Sequence, residues 1–260
     1  MTDDYAAAAE FYDLMATPYV AGVEPVLTKL LAEVDTIAGP VADIGAGTGL
    51  STMLVADALP DARIVAVEPA AAMRAVLLSR LAARKDLRER ITVLPTGFLD
   101  TRLPARCAAV VALGVIGHFD AATRPRVWAS IADALAPGGD AVVEVQRPGR
   151  VEPSADRRYT TARAGDLRYE GWSRADPVDA DSLIWRMTYR TYQGDRLVQE
   201  VRTEHHVWPA AVDRLTPEAT TRSTRKTPGT TYWMTASSPS SPAISRVTWA
   251  GRLWWRRNSR

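Results

Sequence analysis

The sequence predicts an α/β protein: a doubly wound, mostly parallel sheet with helices on both faces, and an antiparallel β-rich insert after the fifth strand. Three observations carry this. Short apolar, β-branched runs alternate with helix-like stretches between residues 41 and 146. The first of those runs holds an acid and breaks at its end into Gly45, Gly47 and Gly49. Residues 151–215 then abandon the alternation for aromatic-rich runs at strand spacing. Alternation of strand and helix is the pattern of a parallel sheet, because successive parallel strands need a helical crossover.

Taken in chain order, Asp4 to Ala16 reads as a helix with Phe11, Leu14 and Met15 on one side, and Val23 to Val34 as a second. The strand Pro40 to Ile44 leads into the glycine turn, and a helix follows over Ser51 to Ala58. A strand at Arg63 to Val67, a helix at Ala71 to Arg84 and strands at Ile91 to Leu94 and Ala108 to Leu113 continue the pattern. It closes with a helix at Arg124 to Leu135 and a fifth strand at Ala141 to Val145. Beyond it, Ser182 to Tyr192 and Arg196 to Trp208 read as antiparallel strands joined by Gln193-Gly194-Asp195, a hairpin signal. This divides the chain into a helical cap (1–40), a sheet core (41–150), a β-rich substrate-facing segment (151–215) and an atypical tail (216–260).

Composition bounds the function. The chain has 260 residues with 47% hydrophobic content, enough for one sizeable core. No apolar run approaches the ~18 residues of a membrane span, and the alanine-rich start carries acids and no basic region. Neither a membrane span nor a secretory signal is expected, so the expected location is the cytoplasm. The single cysteine, Cys107, has no internal disulfide partner. Of the three histidines, His205 and His206 are adjacent and would point to opposite faces of a strand, which argues against a protein-built metal site.

The glycine turn is the most specific signal. Glycine lacks a Cβ and tolerates positive φ, so three at alternate positions let a strand turn sharply beneath a ligand. A dinucleotide site is spaced G-x-G-x-x-G, which would need glycine where Leu50 stands. A phosphate-cradling loop would need a following lysine, and there is none.

The set Asp43, Gly45, Gly47 and Gly49 resembles the first motif, (E/D)-x-G-x-G-x-G, of the class I S-adenosylmethionine-dependent methyltransferases. Three later stretches match the family in the right order: Glu68 ending the second strand, the turn Pro69 to Met73, and Leu135-Ala136-Pro137-Gly138-Gly139 before the fifth. Phe11-Tyr12-Asp13 is similar to the family's opening helix. The resemblance implies S-adenosylmethionine as cofactor, held by Asp43, Gly45, Ala46, Gly47, Gly49, Glu68, Pro69, Met73 and Gly114. It implies that Glu68 binds the ribose hydroxyls; a carboxylate can accept from both. It places Cys107 just before the fourth strand as a buried filler. The family often has an acid after the third strand; here Thr96, Gly97 and Phe98 would have to supply the adenine contacts, or Asp100 reach back.

For methyl transfer the protein must align a nucleophile and exclude water, and a base is needed only for a protonated or weakly acidic acceptor. His118, after the fourth strand, is the first catalytic candidate by resemblance, with Glu170 and His206 behind it; His118 serves equally as a loop or helix-capping residue. Tyr12 and Tyr19 could close over the cofactor. The group Tyr169, Trp172, Trp185, Tyr189, Tyr192 and Trp208 suggests a wall around an organic acceptor, although each alone is as well explained by core packing. The expected reaction is methylation of N or O of a small molecule or peptide, similar to bacterial natural-product or modified-peptide methyltransferases.

The tail keeps an alternative open. Residues 219–260 carry eight Arg or Lys, no acid and fifteen Ser or Thr, so the remainder of a chain of net charge +2 is −6. Three readings stand: an arm binding RNA or an anionic surface, a last strand at Thr230 to Thr235, or out-of-frame translation. The first makes the chain a nucleic-acid-binding methyltransferase or a methyltransferase-like binding module, against which the acidic remainder argues. Oligomeric state has no sequence signature here.

Overall fold

The computed structural model describes residues 5–145, 149–210 and 243–248. Two sheets organise it. Strands β1 (Val41–Ile44), β2 (Ile64–Val67), β3 (Ile91–Leu94), β4 (Cys107–Ala112), β5 (Leu135–Val145) and β10 (Ala243–Thr248) form a six-stranded sheet ordered β10-β5-β4-β1-β2-β3. Its first five strands pair in parallel and β10 pairs antiparallel to β5. Helices α2 (Leu50–Ala58), α3 (Ala71–Ala83), the short α4 (Lys85–Arg88) and α5 (Arg124–Ala134) supply the crossovers. All residues of β1, β2 and β4 are buried, as a sheet covered on both faces requires.

The chain runs outward from β1 to β3 and then returns to β4 on the other side of β1. That reversal opens a crevice at the carboxyl ends of β1 and β4, the usual ligand position on an open parallel sheet. Gly45 and Gly114 stand at its two lips, both at positive φ (67° and 69°).

The insert is larger than expected. Besides β8 (Leu183–Gln193) and β9 (Arg196–Val207), two further strands, β6 (Ser154–Ala164) and β7 (Leu167–Pro177), complete an antiparallel sheet ordered β6-β7-β8-β9. The exposed pattern of β6 carries few apolar side chains, so its sequence lacks the alternation that marks a strand.

Two expectations need correction, and a third falls outside the described residues. The two N-terminal helices are one, α1 (Ala9–Leu31), which runs through Pro18 and Pro25. Phe11, Met15, Val23, Leu27, Leu30 and Leu31 are all buried along it, and their packing outweighs the backbone bonds the prolines forgo. Leu135 to Gly139, read as a helix end and turn, belongs to β5, with a register shift opposite Cys107 and Ala109 and Gly138 at φ 80°. The strand that the tail contributes is Ala243–Thr248; Thr230 to Thr235 lie outside the described residues.

Helix α1 joins the two sheets. Phe11 stacks on Tyr189 of β8, centroids 5.1 Å apart and rings 4° from parallel, and meets Tyr169 of β7 edge-on at 6.4 Å. Val23, Leu27, Leu30 and Leu31 on the same helix pack into the six-stranded sheet's core. Among the described residues no helix is long and apolar enough to cross a membrane.

Candidate functional site

The three turn glycines do different work. At Gly45 an added Cβ would lie 2.4 Å from Val115 Cγ2, and at Gly49 2.4 Å from Leu77 Cδ1, so those two are glycine because neighbours fill the space. At Gly47 (φ 57°) the nearest atom to such a Cβ is 4.0 Å away. Gly47 therefore presents bare backbone to open space, which suits a ligand lying against it.

Acids stand at or near the carboxyl ends of three strands of the parallel sheet, β1, β2 and β5. Asp43 in β1 is fully buried; its Oδ2 accepts from Ser51 (2.8 Å) and Thr52 (2.6 Å), while Oδ1 is buried with no partner among the described residues. Burial pushes its pKa up to about 6, against the lowering effect of the Thr52 and Ser51 hydroxyls. Glu68, after β2, is 7% exposed and accepts from the backbone N–H of Gly47 (2.8 Å) and of Ala70 (2.7 Å), tying the glycine turn to the turn before α3. Glu144 near the end of β5 is 4% exposed; its Oε2 accepts from the Tyr19 hydroxyl at 2.5 Å and from Gly114 N–H at 2.8 Å. Burial raises its pKa above the ordinary carboxylate value.

Helix α1 lies across this crevice. Asp13 accepts from Thr48 Oγ1 at 2.6 Å and pairs with Arg80, which also donates to the Thr48 carbonyl at 3.0 Å. These contacts pin the helix to the loop. Tyr12 is brought between the acids: burial first, then Tyr189 and the charges of Glu68 and Glu144, raise its hydroxyl pKa to about 12. Tyr19 is likewise raised, by burial and then by Glu144.

The remaining predicted residues separate into those near the crevice and those away from it. Ala46 and Met73 are buried and Pro69 is exposed beside Glu68. Thr96 bonds Thr101 and Gly97 lies beside Asp100, on the loop after β3. Phe98 is turned inward, 6% exposed in the core with Ala112 and Val115, so its ring offers no face to an adenine. Cys107 is the first residue of β4, wholly buried, its thiol pushed up to about 11 by burial.

His118 sits in a 3-10 turn after β4, exposed, with Tyr5 Oη 2.9 Å from its Nε2; the Tyr5 ring stacks on His205 at 4.7 Å. The end of β9 is held to the same turn by Trp208 N–H donating to Gly117 O at 2.8 Å, and His206 packs on Trp208 at 4.2 Å. So His118 and His206 share one neighbourhood. Glu170 belongs to another: Arg158 (3.0 Å), Arg168 and Trp172 Nε1 (3.0 Å) bond its carboxylate. Burial raises its pKa, but those contacts more than offset it and leave it below the usual value. A carboxylate engaged in this way is a poor base. The aromatic block divides too. Tyr169 and Tyr189 face α1, whereas Trp172 and Tyr192 lie under arginines, with Arg190 5.1 Å from the Trp172 ring and Arg168 4.3 Å from that of Tyr192.

Sequence reasoning missed Glu144, the Asp13–Arg80 pair and Tyr5. Only Glu144 left a signal: an acid inside an otherwise apolar strand run, Ala141 to Val145, like Asp43 in β1.

Residues 42–141 match a family model described as a methyltransferase domain. No curated protein matches the chain in sequence. Among solved structures, DesVI of Streptomyces venezuelae is 18% identical with TM-score 0.68, over 91% of this chain and 94% of that one. CalS10, an S-adenosylmethionine-bound amino pentose methyltransferase from Micromonospora echinaspora, is 17% identical with TM-score 0.65, over 89% and 90%. KedS8, a sugar N-methyltransferase from a Streptoalloteichus species, is 20% identical with TM-score 0.59, over 75% of each.

Proposed function

We propose that the chain, whose residues 42–141 match a methyltransferase domain, transfers a methyl group from S-adenosylmethionine to N or O of a small molecule in the crevice at the ends of β1 and β4. A natural-product sugar is the acceptor class this reading favours, supported by the names of the sugar N-methyltransferase and the amino pentose methyltransferase that share its fold.

The observation that carries the cofactor assignment is Asp43. A buried carboxylate oxygen with no partner is costly unless a ligand completes it, and the cofactor is cationic at both its sulfonium and its ammonium. Gly47, open and without a side chain, fits the same ligand. In this reading Asp43 faces the cationic end, the Gly45 to Gly49 backbone carries the ligand, and Glu68 takes the ribose diol. Pro69 flanks the adenine, with the backbone of Thr96, Gly97 and Phe98 on its other side; Met73, more buried than the Phe98 ring, gives it no side-chain face, and Gly114 closes the β4 lip. When bound, the cofactor supplies an electrophilic methyl on sulfur. The chain's own part is orientation and dryness: α1, pinned through Asp13 to Thr48 and Arg80, covers the crevice and keeps Tyr12 and Tyr19 inside it. In the same reading His118, exposed and 2.9 Å from Tyr5 Oη, takes a proton from an acceptor that needs to lose one.

Calorimetric titration with S-adenosylmethionine and S-adenosylhomocysteine, with NAD and NADP as controls, tests this. Binding of the first two alone is expected. Binding of a nicotinamide dinucleotide, or of none of the four by folded protein, overturns it.

A further inference from the structure

Glu144 is a buried acid to which the cofactor reading above gives no role. Asp43 and Glu68 meet the cofactor in the reading above; Glu144 belongs to the far lip of the crevice, bonded to Gly114 of β4 rather than to the glycine turn. Among the described residues it makes no ion pair, and both of its protein hydrogen bonds go to Oε2. Its charge reaches the hydroxyls of Tyr12 and Tyr19, and Tyr12 also feels Glu68, so the three groups share one space. A carboxylate largely removed from water with no countercharge costs stability, and a cationic ligand beside it would offset that cost.

We infer that Glu144 is the acceptor-recognition residue, its free oxygen receiving an amine N–H of the acceptor, and that it selects an amine over a hydroxyl. This rests on the methyl-transfer reading of the same site. The charge balance of the reaction supports it. As a nitrogen lone pair forms the new N–CH3 bond, the C–S bonding pair leaves with sulfur, and the positive charge passes to nitrogen. A fixed anion beside that nitrogen stabilises the charge as it develops. For a hydroxyl acceptor the same anion is unhelpful, because the oxygen must shed a proton and gain negative character before it attacks. Tyr19 and Gly114, by holding Oε2, fix the carboxylate's plane and leave Oε1 for the acceptor.

Glu144→Gln keeps the shape and an oxygen to accept from Tyr19 and Gly114 but removes the charge, so it separates recognition from scaffolding. The full chain saturated with S-adenosylhomocysteine is titrated with 3-amino-3-deoxy-D-glucose, D-glucosamine and D-glucose. At least one amino sugar is expected to bind tenfold or more tighter than glucose, and Glu144→Gln is expected to lose that preference. Its S-adenosylhomocysteine affinity should stay within threefold of the parent and its melting temperature should be equal or higher. Equal binding of glucose, no binding of any sugar, or an undiminished preference in Glu144→Gln overturns the inference while leaving the cofactor reading intact. Failure of the parent protein to bind S-adenosylhomocysteine overturns the methyl-transfer reading itself. A lowered melting temperature with unaltered sugar binding marks Glu144 as structural and also overturns the inference.

Discussion

The two sheets of this chain meet solvent in opposite ways. The central parallel strands are covered on both faces, and the buried acids Asp43, Glu68 and Glu144 gather at the carboxyl ends around a crevice. The antiparallel sheet is covered on one face by α1 and turns Arg158, Arg168 and Arg190 outward with Trp172 and Tyr192. In the first, a carboxylate is buried and costly; in the second, most charges are partly exposed and paired with one another. Mutations should therefore act on binding in one sheet and on little in the other, and α1 should behave as the joint between them.

The largest effect is expected within the glycine turn. Gly49→Val puts a branched side chain at positive φ against Leu77 in the core and should cost about 2–5 kcal/mol of stability. Gly47→Val places its Cβ no closer than 4.0 Å to any protein atom, so denaturant midpoints should move by close to the backbone strain, about 1–2 kcal/mol, while S-adenosylhomocysteine binding is lost. If Gly47→Val binds normally, the ligand does not lie there. Phe11→Ala removes the ring that α1 stacks on Tyr189; urea unfolding should show a loss of about 3–5 kcal/mol. A loss under 1 kcal/mol would mean that the two sheets are not joined through this helix.

Asp43 gives a pH signature. Its folded pKa of about 6 lies above the ordinary 3.8, so the folded state holds the proton more tightly than the unfolded one. Asp43 therefore destabilises the fold most above pH 6, and that penalty is relieved as pH falls from about 6 toward 4. Asp43→Asn should raise stability at pH 7 by about 2–3 kcal/mol and flatten this dependence. Cofactor affinity should run the other way, falling below pH 6 in the parent protein as the carboxylate is protonated. Calorimetry at pH 5 and 7.5 on both proteins checks the pair of trends. Glu68→Ala should weaken S-adenosylhomocysteine by about 1–3 kcal/mol, part of it through slackening of the Gly47 and Ala70 amides. The smallest effect belongs to the outer sheet face, where Arg190→Ala loses an exposed pair with Glu200 at 2.8 Å and should alter stability by under about 1 kcal/mol and binding not at all.

What was legible in advance follows the same division. The five parallel strands and the glycine turn were readable because their signals are local: β-branched runs, a forced backbone turn, an acid at a strand end. Helix α1 was misread as two because proline is a strong local breaker, and only its packing against both sheets overrides it. Strand β6 was missed because an edge strand with an exposed pattern has no apolar period to detect. Phe98 was assigned to adenine by its position after β3, but burial of its ring was a matter of neighbours.

The sequence by itself determined the succession of strands and helices along the sheet, the glycine turn after β1, and the acids at the strand ends. Those are consequences of backbone geometry and of what a buried strand tolerates. Only the tertiary structure decided that Gly45 and Gly49 serve packing while Gly47 faces open space, that Glu170 is bound among arginines, and that His118 meets Tyr5. It alone brought Glu144 to Gly114 and Tyr19, across 30 and 125 positions of chain. Such contacts depend on how helices and sheets pack, and no local pattern in the chain encodes them.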